Sequence, residues 1–164
     1  MLKYFLTKKL QSLDRGFTLI ELLVVILIIG VLAAIGMPNL LANIGKARET
    51  EATSQLGTLS RSQQVYYFET KEFAPDINSL GQNTSNINNY YNFPDPIIAN
   101  NSIVKHQAVA NTPWNVESRN FSVAVYYNSG VFSTALCRSI APTVPVTAPD
   151  TPTDSCSDNG IRIK

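Results

Sequence analysis

Between Phe17 and Met37 the chain carries one ionisable side chain, Glu21, and one hydroxyl, Thr18, within the stretch GFTLIELLVVILIIGVLAAI. A carboxylate in so apolar a segment costs roughly 2.5–3.5 kcal/mol at the centre of a bilayer and less near its edge, so its presence marks function by default. Cys137 and Cys156 both follow that segment. If the segment delivers the downstream chain across a membrane, the compartment is oxidising and a disulfide is expected. Closing a loop of about twenty residues stabilises by roughly 3 kcal/mol in the chain-entropy account.

Other residue types able to do chemistry are sparse. His106 is the only histidine, which excludes histidine-pair metal sites, and its place in a strand pattern points to a structural role. Asp150, Asp154 and Asp158 are weak candidates for calcium ligands; they lack a rigid ligand pattern and read first as a solvated tail. There is no nucleophile elbow, phosphate loop or zinc spacing, so neither catalysis nor a cofactor is expected. Asn83-Thr84-Ser85, Asn100-Asn101-Ser102 and Asn120-Phe121-Ser122 fit the N-glycosylation triplet, a pattern short enough to recur by chance. Thr143, Thr147, Thr151 and Thr153, set among prolines, suggest O-glycosylation on composition alone.

The elements that position these residues differ sharply along the chain. Its 164 residues bound it to one domain of ordinary size, and the 45% hydrophobic content is concentrated in the first quarter. Lys3, Lys8, Lys9 and Arg15 precede the apolar run against Asp14 alone, within a formal net charge of +1. No basic patch of the kind a nucleic-acid binder shows is evident. As a helix, the apolar run is about 30 Å long, enough to cross a hydrocarbon core. It exceeds the apolar part of a cleaved secretory signal, and the cationic flank sets its amino end in the cytoplasm. A plain membrane anchor fits the length but leaves Glu21 unexplained.

Arg15-Gly16-Phe17-Thr18-Leu19-Ile20-Glu21-Leu22, followed by a long apolar helix, resembles the amino-terminal signature of type IV prepilins and of the pseudopilins of secretion systems. The resemblance covers residues 15 to about 40, and beyond them extends only to layout. It implies a cytoplasmic leader, 1–16, cut after Gly16 by a prepilin peptidase, with Phe17 as the first mature residue and the site of N-methylation. It implies a membrane and assembly helix, 17–38, and an exported globular domain, 39–164. Glu21 would meet the Phe17 ammonium of a neighbouring copy, each charge costly alone and tolerable when paired, and so set axial register. Pairing with the chain's own Phe17 amine, or with the positive end of the helix, is the alternative. Gly30, Gly36 and Pro38 mark a bend, and the small residues suit close helix packing.

After Pro38, Leu41, Ile44, Ala52, Leu56, Leu59 and Tyr66 recur at helical spacing, so the helix is expected to continue to about Thr70 with one stripe facing a domain. Residues 71–101 read as a long surface connection, pinned by Tyr90, Tyr91 and Phe93. Strands are expected at Ile103–Ala110, Phe121–Tyr127, Val131–Cys137 and Ile161–Lys164, with turns at Asn128-Ser129-Gly130 and Asp158-Asn159-Gly160. The run APTVPVTAPDTPT reads as extended and unsuited to a strand interior. The expected fold class is α+β: a long amino-terminal helix, its first half membrane-spanning, packed on an antiparallel sheet of three or four strands, the pilin α/β roll.

The function the resemblance implies is that of a structural subunit, inserted in the inner membrane as a precursor and then assembled into an extracellular type IV pilus. Its partners would be the peptidase, other pilins, the inner-membrane assembly machinery and lipid, with nucleic acid not expected as a direct partner. A type II secretion pseudopilin and a membrane-anchored binding or DNA-uptake module are the alternatives.

Overall fold

The computed structural model describes residues 17–82 and 90–163. One helix, α1, runs Leu19–Thr70 with Pro38 inside it. The chain divides into two compact units, the second comprising Leu41–Lys164. The part of α1 in this second unit forms because Ala52, Leu56, Leu59, Gln63 and Tyr67 follow one another at three- and four-residue intervals and are all buried. This corrects the expected stripe. Leu41 and Ile44 are exposed, and Tyr67 rather than Tyr66 points inward, because the polar Gln63 carries the stripe where an apolar residue was looked for. Lys71 ends the helix in a left-handed conformation, φ 67°, its N–H donating to the Tyr67 carbonyl at 2.9 Å.

The sheet is antiparallel. Three eight-residue strands, β3 (Ile103–Ala110), β4 (Phe121–Asn128) and β5 (Val131–Arg138), form its body. Three two-residue strands add to them: β1 (Tyr91–Asn92) and β2 (Ile98–Ala99) both pair with β3, and β6 (Ile161–Arg162) pairs with β5. The sheet thus has six strands in place of the expected three or four. The extra ones lie in the Asn- and Pro-rich connection, where two-residue pairings leave no alternating pattern to read. The β4–β5 turn has positive φ at Ser129 (49°) and Gly130 (91°), the mirror-image turn that suits strand twist.

Side-chain alternation gives the sheet two covered faces. Ala108, Phe121 and Val123 pack with Ala52, Leu56 and Leu59 of α1. On the opposite face Ile103, Ala124, Tyr126, Ala135 and Cys137 pack with Val146, Ala148 and Cys156. The proline-rich run is therefore a second cover, irregular in backbone yet fully buried at Val146 and Ala148. Prolines deny it ladder hydrogen bonds without denying it apolar side chains. A third cluster joins Tyr67 and Phe73 to Val104 and Val125.

Candidate assembly site

Thr18 starts α1. Its Oγ1 accepts the Glu21 backbone N–H at 3.3 Å, and its carbonyl accepts the Leu22 N–H at 3.2 Å. Thr18 and Glu21 are thus the first and last members of a Thr-x-x-Glu capping pattern, a signal the sequence reading passed over. A carboxylate here faces the positive end of the helix. The Glu21 side chain is itself exposed, as is Phe17. Gly16 lies outside the described residues.

Every large apolar side chain singled out between Phe17 and Ile44 is between 38% and 88% exposed. Added Cβ atoms at Gly30 and Gly36 would meet nothing within 4 Å. Among the described residues, one helix is long and apolar enough, by length and composition, to cross a membrane. An apolar surface of this extent marks a site of contact with lipid or protein.

Within the second unit, α1 is held at its near end by polar contacts: Arg48 pairs with Glu117 at 3.5 Å, and Glu49 Oε1 accepts the Arg119 N–H at 3.1 Å. Gly45 lets the Glu117 carbonyl approach closely, since a Cβ there would lie 3.2 Å from it. The Tyr91 hydroxyl donates to the Arg119 carbonyl at 2.8 Å, and burial pushes its ionisation above the ordinary tyrosine range. Tyr126, pushed up to about 12 chiefly by burial, donates to the Pro149 carbonyl at 2.7 Å.

Cys137 and Cys156 form a disulfide with Cα atoms 5.9 Å apart, tying the second cover to β5. Asp150, Asp154 and Asp158 line one open pocket together with Lys105. Among the described residues, no group of three or more His, Cys, Asp or Glu side chains converges as a metal ligand set would. Lys105 Nζ instead lies 2.7 Å from Asp150 Oδ1. His106 is fully buried between sheet and helix, and burial lowers its ionisation to about 4. Of the three glycosylation triplets, the one at Asn83 is outside the described residues, while Asn120 is buried with its Nδ2 donating to the Val144 carbonyl at 2.8 Å.

Residues 12–37 match the prokaryotic N-terminal methylation motif. Residues 49–159 match the type IV pilin-like G and H family. The chain belongs to that family. The resemblance read from residues 15–22 holds, as does the expected α+β class. The pilin-like chain is 38% identical over 68 residues to the type IV major pilin protein PilA of Myxococcus xanthus, over 42% of its own length and 31% of the relative's. It is 41% identical over 66 residues to the type IV wide pilus major component PilA4 of Thermus thermophilus, over 40% and 50% of the two lengths. It is 42% identical over 60 residues to the type II secretion system core protein G of Escherichia coli, over 37% and 41%. The pilin-like chain thus spans about a third to a half of the length of these relatives.

Proposed function

We propose that the chain is a structural subunit of a type IV pilus filament. In this reading it is inserted in the inner membrane as a precursor, cut after Gly16 by a prepilin peptidase and methylated at Phe17. It then packs helix to helix with copies of itself and related pilins. The single observation that carries the reading is the exposure of the apolar side chains from Phe17 to Ile44 around one exposed carboxylate, Glu21. Lipid covers that surface before assembly, and neighbouring helices replace it afterwards.

Cleavage leaves an ammonium on an apolar helix tip. Glu21 of an adjoining copy neutralises it in a low dielectric, and because each charge is costly alone the pairing fixes the axial stagger. Glycines 30 and 36 let helices approach closely, and Pro38, which lacks an N–H, gives the helix a place to bend as it leaves lipid for the filament. Residues 1–16 act as the cytoplasmic leader, 17–38 as the membrane and assembly helix, and 39–164 as the exported domain. The inner-membrane assembly machinery moves the subunit between the two environments. Its work is structural, with no reaction catalysed.

Intact mass and amino-terminal sequencing, on cells and on sheared surface material, test this. A methylated species starting at Phe17 in the sheared fraction is expected. An unprocessed Met1 species in every fraction would leave only a membrane anchor. The match to type II secretion core protein G supports a second reading, a pseudopilin, for which the mature species would stay with the membranes.

A further inference from the structure

Gln63 of α1 and His106 of β3 meet in the core at a point where the chain leaves the helix. The Ala74 N–H donates to Gln63 Oε1 at 2.8 Å, and Gln63 Nε2 donates to the Ala74 carbonyl at 3.1 Å. This pair of backbone bonds fixes which end of the amide is which. The second proton of the Gln63 amide is left for His106 Nε2, 3.0 Å away, so that ring nitrogen accepts and the ring proton sits on Nδ1. Nδ1 is itself buried without a hydrogen-bond partner among the described residues.

A protonated ring has no satisfactory arrangement here. Its new Nε2–H would face the Gln63 amide protons, donor against donor. Turning the Gln63 amide to present its oxygen would break both bonds to Ala74. The surroundings supply little compensation: Val123 opposite on β4, Gln63 on α1, and Ala74 and Ile77 in the following segment are uncharged. Among the described residues, the charged group that acts on the ring is Asp95, between β1 and β2, which favours the cation less than burial disfavours it. Asp95 also accepts the Ile77 N–H at 3.0 Å, so it belongs to the same attachment.

We propose that Gln63, His106 and Ala74 form an acid-released latch that holds the segment Lys71–Leu80 against the helix and sheet. Release frees the 3-10 turn Asn78–Leu80, whose Ser79 and Leu80 form one wall of a groove of about 360 Å³ against Arg61, Val65 and Tyr66 of α1. The latch is independent of how the amino-terminal helix is used.

Hydrogen exchange on the full chain in detergent micelles, corrected for intrinsic rates, tests it between pH 7 and pH 4. If opening returns the ring to ordinary water, protection at Ala74 and Ile77 should fall about a hundredfold more than at β4. In His106→Gln, whose amide accepts from Gln63 but takes no proton, that selective loss should vanish. Equal loss in both proteins would overturn the latch. Should the variant not fold, ring nitrogen shifts of the wild type decide, since the chain has a single histidine. A proton on Nδ1 and titration near 4 support the latch, whereas a proton on Nε2 or titration at the ordinary 6.5 refutes it.

Discussion

Lys105 Nζ lies 2.7 Å from Asp150 Oδ1, with the lysine side chain 4% exposed and the aspartate 82% exposed. The pair joins β3 to the proline-rich cover, and Lys105 lines the same open pocket as Asp150, Asp154 and Asp158, the carboxylates that the sequence offered as cation ligands. Removing Asp150 strands a buried charge, whereas removing both charges does not. Asp150→Ala should therefore lower stability by about 1–3 kcal/mol, and the double variant Lys105→Met, Asp150→Ala by less. Urea denaturation of the three proteins measures the difference.

If the ammonium fills the role of a cation at this loop, millimolar calcium should leave the thermal midpoint unchanged. A calcium-dependent rise of several degrees would contradict that. Differential scanning with calcium and with a chelator separates the two.

The disulfide should stabilise by roughly 3 kcal/mol through the loop it closes. Replacing both Cys137 and Cys156 by serine should lower the urea midpoint, and reductant should then have no further effect on the variant. An unchanged midpoint would mean that packing of Val146 and Ala148 alone holds the cover.

Among the described residues Gly160 is the tightest glycine: a Cβ there would lie 2.6 Å from Val146 Cγ2 and 3.1 Å from Cys156 Cβ. Gly160→Ala should cost about 1–3 kcal/mol by overpacking. The positive φ values of the turn fall on Asp158 and Asn159, each 54°, so this glycine is needed for space rather than for backbone freedom.

Protonation of His106 should also be visible in global stability. Burial depresses its folded ionisation to about 4 from the ordinary 6.5, so its contribution is complete above pH 6.5 and is lost as pH falls toward 4. The loss is about 3 kcal/mol, read as the difference between wild type and His106→Gln in denaturation curves across that window.

The helix, the three long strands and both turns were legible because each rests on a local signal: period, alternation, or a turn residue. The Cys137–Cys156 bond was legible from the apolar segment, which implies export. The inward position of Gln63 was hidden because a polar residue breaks an apolar stripe, and its partners, Ala74 and His106, are distant in sequence. β1 and β2 were hidden because two-residue strands carry no period. The proline-rich run is extended and outside the strands as expected, but the burial of Val146 and Ala148 was hidden, because composition reports backbone habit, whereas their burial depends on the sheet face above them. The Thr18–Glu21 cap is a local Thr-x-x-Glu signal and was legible in principle from residues 18–21.

That cap sharpens the central question, whether Glu21 serves its own helix or a neighbour's amine. The direct measurement is filament recovery by shearing from cells carrying Glu21→Ala or Glu21→Gln, with total subunit quantified in the same cells. Intermolecular pairing with the Phe17 ammonium predicts normal levels of processed subunit in the membrane and loss of sheared filament, by roughly tenfold or more for each 1.4 kcal/mol of lost pairing per contact. Wild-type amounts of sheared filament from Glu21→Ala would contradict the assembly role and leave the carboxylate serving only the positive end of its own helix.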